Sequence, residues 1–178
     1  MAYCPPKTPA TGCLDVIIQE SIILPNFNTQ QSYNEFTVCG INNYVTRTEI
    51  IDYRWSGSGI GIIDFVGSPS EQTPGSFVNS DVKYIRITNI PTSPTFASIY
   101  IIKTNKESAL FKIEPGRSLV LSSDEFDASS TTDYVDETYA DKQYFDDFIY
   151  MSEIKAKAGD SNGTFTGSIK IEYVVASA

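Results

Sequence analysis

Residues 82–122 read VKYIRITNIPTSPTFASIYIIKTNKESALFKIEPGRSLVLS, the most regular pattern in the chain. It breaks into four short runs rich in Ile, Val, Tyr and Phe, at 82–89, 96–103, 109–113 and 118–121. Residues of these types pack well on a pleated, half-buried surface. The runs are separated by turn chemistry rather than by helical stretches. Pro91 and Pro94 stop the first run, since proline cannot donate to a strand ladder. Between the third and fourth runs lies Glu114-Pro115-Gly116-Arg117, whose Pro-Gly pair suits the central positions of a type II turn.

The same grammar continues on both sides. Downstream, 148–158 and 168–175 bracket Gly159-Asp160-Ser161-Asn162-Gly163, an Asn-Gly tight turn by its chemistry. In the last run Ile169, Ile171, Tyr173 and Val175 alternate with Lys170, Glu172 and Val174, the period-two pattern of a half-buried strand. Upstream, 14–19 and 22–24 are β-branched runs interrupted at Glu20 and Ser21 and closed by Pro25-Asn26. Residues 33–39 set Tyr33, Glu35 and Thr37 against Phe36 and Val38. Residues 49–55 set Ile51, Tyr53 and Trp55 against Ile50, Asp52 and Arg54. Ser56-Gly57-Ser58-Gly59 then reads as a hairpin turn into 60–66, and 68–80 as a polar loop containing Pro69, Pro74 and Gly75.

Nine or ten strands and no long helix define an all-β chain, an antiparallel β-sandwich of which the jelly roll is one form. At 178 residues one domain buries about 70% of its unfolded surface, so a single core over 13–178 is expected. Residues 1–12 form an extended N-terminal arm in which Pro5, Pro6 and Pro9 preclude a donor ladder.

Charge is distributed unevenly. The chain carries 13 Lys+Arg against 22 Asp+Glu, a net of -9. Residues 123–147 hold nine of those carboxylates against one lysine, Lys142, a local net of -8, so the remaining chain is almost neutral. This long acidic loop interleaves its charges with Phe126, Tyr134, Tyr139, Tyr144, Phe145 and Phe148. That is too aromatic for a solvated tail. Two readings stand: aromatic anchors within a charged rim for a protein partner, or a loop that packs its aromatics on its own sandwich. Tyr134, Glu137, Thr138 and Asp141 also have the spacing of a helical turn.

The chemistry of the chain is sparse. With no histidine, the commonest general base and zinc ligand are missing. A glycosidase would need two carboxylates of different pKa, and no spacing singles out such a pair. Asp124-Glu125-Phe126-Asp127 and Asp160-Ser161-Asn162-Gly163 cluster oxygen ligands suited to calcium, but neither completes an EF-hand loop. No cofactor is expected, and calcium is the one ion these oxygen clusters would suit. Gly57, Gly59 and Gly61 lie between strands rather than before a helix, so phosphate binding does not follow. Asn162-Gly163-Thr164 matches a glycosylation triplet that requires a secretory route, and the start, MAYCPPKTPATG, has no apolar core of a signal peptide. Of Cys4, Cys13 and Cys39, the first two could close a tight loop. Reduced thiols are the expectation, with Cys39 a small core residue. An acidic chain is poorly suited to nucleic acid or an anionic membrane.

The runs YIRITN, SIYIIK and FKIEPGRSLVL, the acidic SSDEFDA and the final IKIEYVV together resemble the style of small tailed-bacteriophage virion proteins. The resemblance covers about half the chain. It implies a decoration, head-fibre, collar or tail component built on a β-sandwich, present in many copies and without enzymatic activity. Such a protein would assemble in the host bacterial cytoplasm, reside in the virion, and contact other virion proteins and copies of itself as a homo-oligomer. The contact residues expected on this reading are Tyr3, Pro5 and Pro6 of the arm, with Asp124, Glu125, Phe126, Asp127, Tyr134, Tyr139 and Tyr144 of the loop. The alternative is a carbohydrate- or cell-surface-binding module that uses exposed aromatics such as Trp55.

Overall fold

The computed structural model describes residues 12–22, 30–54, 59–106, 108–122, 148–159 and 166–178, with side chains withheld at 20–22 and 30–32. Among these the β-branched and aromatic runs form eleven strands: β1 (Gly12–Ile22), β2 (Gln30–Ile41), β3 (Asn43–Asp52), β4 (Ile60–Val66), β5 (Ser76–Val78), β6 (Val82–Asn89), β7 (Ala97–Lys103), β8 (Ser108–Ile113), β9 (Ser118–Ser122), β10 (Met151–Ala158) and β11 (Ser168–Ser177). Helical structure among the described residues is limited to short 3-10 turns such as Phe148–Tyr150.

Two sheets face each other. One has the order β3-β11-β6-β9, the other β5-β4-β10-β7-β8. All pairings are antiparallel except the short β4–β5 pair. If β5 is set aside, the chain deals its strands into two four-stranded sheets in the order of a jelly roll, so the sandwich is of that form. A single apolar core fills the space between the sheets. Ile85, Ile87 and Ile171 enter from one side and Ile99, Ile101 and Ile154 from the other, all fully buried. Each such side chain contributes about 1.5–3 kcal/mol by leaving water.

The alternation in β11 holds: Ile169, Ile171 and Tyr173 are buried, Lys170 is exposed and Glu172 half-exposed. Beyond Glu172 the pattern changes, because Val174 and Ala176 point outward and are still buried. A third layer covers them. The ribbon formed by β1 and β2 lays Val38, Leu14, Val16, Phe36 and Ile41 on Tyr84, Val174, Ala176 and Val120.

Several sequence expectations are corrected. The run at 14–19 continues through Glu20 and Ser21 to Ile22 as one strand, because cross-strand pairing with β2 carries the ladder across the expected interruption; residues 23–24 lie outside the described residues. β3 begins at Asn43, six residues earlier than expected, since its whole length pairs with β11. β3 and β4 do not pair as the expected hairpin, since they belong to opposite sheets. The polar loop 68–80 contains β5, whose residues 76–78 are buried against β4. Cys39 is exposed rather than a core residue, and it is bonded to Cys13, not held as a thiol. The two stand opposite each other in the ribbon register, with Cα atoms 4.1 Å apart.

Turns that cross between the sheets meet at Asn89. Gly116 adopts φ +78° and Arg117 N–H donates to Glu114 O at 3.0 Å, as a type II turn requires. That turn carries the chain from β8 in one sheet to β9 in the other. Asn89, fully buried, ties it down: its backbone exchanges bonds with Gly116 and Arg117, and its amide donates to Thr95 O and Ile113 O at 2.9 and 3.0 Å.

Candidate assembly surface

The ribbon differs from the rest of the molecule in what it leaves uncovered. Its base is seated on the sandwich, with Val38 wholly buried. Over residues 17–19 and 33–35 it is exposed on both faces: Ile17 is 57% exposed, Ile18 38% and Tyr33 60%, with Gln19, Asn34 and Glu35 also exposed. Adjacent Ile17 and Ile18 point to opposite faces because successive strand side chains alternate. Apolar groups therefore lie in water on both sides of a two-stranded sheet.

Such a ribbon is marginal by itself, since two strands lack the hydrophobic face that stabilises larger sheets. Local interactions hold it in register. The Cys13–Cys39 disulfide closes the base over a separation of 26 residues. Thr37 Oγ1 donates to Asp15 Oδ1 across the strands at 2.8 Å; within β2 itself, Tyr33 donates its hydroxyl to Glu35 at 2.8 Å, a bond that does not set the register. The Glu35 bond and its negative charge raise the Tyr33 pKa above 10.0.

Under the base, a cavity of about 160 Å³ is lined by Leu14, Val16, Tyr44, Tyr84, Arg86 and Val174, among others. Burial pushes the Tyr84 hydroxyl above its ordinary value, opposed by the positive charge of Arg86. Arg86 is held by Glu172 at 2.7 Å.

A second concavity, of about 510 Å³, opens at the side of the sandwich between β3 and the segment leading into β5, with Asn43, Arg47, Gln72, Thr73 and Phe77 among its lining residues. Arg47 hydrogen-bonds the Tyr173 hydroxyl, and burial still raises the pKa of that tyrosine. The one aromatic lining this groove, Phe77, is 5% exposed and offers no open ring face.

All ten contact residues expected from sequence, Tyr3, Pro5, Pro6, Asp124, Glu125, Phe126, Asp127, Tyr134, Tyr139 and Tyr144, lie outside the described residues, as do Trp55 and both calcium candidates at 124–127 and 160–163. The structure places the ends of these segments. Gly12 stands opposite Ile41 at the foot of the ribbon. The acidic segment leaves from Ser122 on the edge strand β9 and returns at Phe148, just before β10 in the opposite sheet. Among the described residues no three His, Cys, Asp or Glu side chains cluster as a metal site would.

Fold and surface together define a jelly-roll sandwich with a projecting, disulfide-pinned ribbon. No protein-family model matches the chain, and no curated protein matches it.

Proposed function

We propose that the chain is a non-enzymatic structural subunit of a bacteriophage particle, acting through protein–protein contacts with copies of itself or with other virion proteins. The observation that carries this reading is the ribbon. Apolar side chains exposed on both faces of a two-stranded sheet are costly in water and gain stability when another protein covers them. The phage assignment adds the resemblance of the strand runs and of the acidic segment at 123–147.

The disulfide is compatible with this life cycle. Thiols stay reduced in the bacterial cytoplasm and oxidise after release, so Cys13 and Cys39 would close the ribbon base once particles leave the cell. The sugar-binding alternative draws no support from the side groove, where the aromatic lining residue among the described residues, Phe77, is buried.

The test is density-gradient purification of particles from the bacterial source, with mass spectrometry across the fractions. The chain is expected to sediment with the particles in stoichiometric amounts. Its confinement to the soluble fraction, together with binding of the isolated protein to a glycan array, would replace this reading by the module.

A further inference from the structure

Strand β3 has a free edge whose charges complement themselves. It terminates its sheet, and no other strand among the described residues pairs with its outer side. Tyr53 N–H donates to Gly167 O, in line with the β3–β11 register. In an antiparallel ladder every second residue bonds to one neighbour. Odd-numbered residues of β3 therefore turn their backbone groups to β11, and Tyr44, Thr46, Thr48 and Ile50 turn theirs outward. On this edge strand Ile50 is 68% exposed and Tyr44 56%.

Arg47 and Glu49, both exposed, project on the face that carries Val45 and Ile51, beside Tyr173. A lone inward charge on an edge strand blocks pairing with another chain. Two opposite charges two residues apart act differently when the strand meets its own copy.

We propose that β3 pairs antiparallel with β3 of a second copy about a two-fold axis through Thr48, joining two four-stranded sheets into one. This inference does not rest on the phage reading. In that register Thr48 faces Thr48 of the second copy, Thr46 faces Ile50, and Tyr44 faces Asp52. All are positions whose backbone groups point outward, so each pair exchanges two hydrogen bonds. Arg47 faces Glu49 of the second copy, and Glu49 faces its Arg47. These are non-hydrogen-bonded pairs, where side chains come closest. The flanking registers that keep the same hydrogen-bond parity set Arg47 against Arg47 or Glu49 against Glu49, and like charges directly opposite are destabilising. The charge pattern thus selects one register, and the symmetric contact closes after two copies.

The experiment uses the full chain with Cys4→Ser and Thr48→Cys, oxidised and run on a non-reducing gel. A hydrogen-bonded pair separates Cα atoms by about 5.5 Å, within disulfide reach, so a covalent dimer is expected. Light scattering on the unmodified protein should give twice its 19.7 kDa mass or a multiple of that dimer. Glu49→Arg sets arginines against arginines twice, and should weaken dimerisation about tenfold. The swap Arg47→Glu with Glu49→Arg restores complementarity and should restore the dimer. Absence of the covalent dimer, or failure of the swap to recover association in a variant folded by circular dichroism, would overturn the proposal.

Discussion

Asn89 ties a sandwich corner through its side-chain amide, and removing that amide gives a sharp prediction. Its Nδ2 supplies bonds to Thr95 O and Ile113 O, while its Oδ1 is buried without a partner. Asn89→Ala removes two hydrogen bonds worth about 1 kcal/mol each and leaves the buried Ile113 carbonyl and the half-buried Thr95 carbonyl short of a donor. Relief of the unpartnered Oδ1 offsets part of this, so the expected loss is about 2–3 kcal/mol. For a chain of this size that lowers Tm by about 5–10 °C. Asn89→Asp keeps the shape but sets a carboxylate oxygen where the donor was, facing two carbonyls, so it should cost more than alanine, about 4 kcal/mol. The assay is urea unfolding followed by intrinsic fluorescence, with the slope checked against the parent protein. If Asn89→Ala lies within about 0.5 kcal/mol of the parent, the range of an ordinary surface change, or if Asp is tolerated better than Ala, then the amide does not anchor the corner.

The remaining predictions concern the ribbon and the buried tyrosines. Replacing Cys13 and Cys39 together by serine should cost the ribbon about 3 kcal/mol, seen as faster hydrogen exchange at 12–41 with little change in β6 and β11; uniform loss across the chain would contradict the layered picture. Ile17→Ser with Tyr33→Ser should leave Tm within a few degrees, because both side chains are exposed, and should abolish incorporation into particles; normal incorporation would remove the ribbon from the contact. Burial raises the pKa of Tyr84 and Tyr173 above 10.0, so the folded state holds these protons more tightly than the unfolded chain. Their contribution to stability is therefore complete below about pH 10 and is lost as pH climbs beyond it. Tyr84→Phe should flatten that alkaline decline in a urea-midpoint titration; an unchanged slope would contradict it.

Much of this architecture could be read from local pattern, and the failures have specific causes. The faces of β11 followed from period two up to Glu172. Val174 and Ala176 broke the rule because the ribbon covers them, a tertiary contact that no local alternation encodes. Glu114-Pro115-Gly116-Arg117 announced a tight reversal, and Gly116 takes the positive φ it requires. Turn chemistry, however, does not say whether the next strand joins the same sheet. The same ambiguity turned the Ser-Gly segment before β4 into an expected hairpin. Cys13 and Cys39 could be paired only by knowing the ribbon register, since neither spacing nor burial pattern brings them together. β5 was hidden by length, three residues stabilised through Ser76, whose hydroxyl donates to Thr73 O at 2.9 Å. For the candidate surface, composition singles out the acidic loop and the arm prolines, which lie outside the described residues. The signal for the ribbon was quieter: Ile17-Ile18 set apolar groups on both faces of β1, which pairs antiparallel with the strand that carries Tyr33.

Hydrogen exchange on the protein free in solution and within purified particles tests the assembly role of the ribbon most directly. Amides at 12–22 and 30–41 should gain strong protection on assembly, most of all around Ile17, Ile18 and Tyr33, while those of β10 and β11 stay as slow as before. Ribbon amides that exchange equally fast in both states, with protection gained elsewhere on the sandwich, would contradict the account.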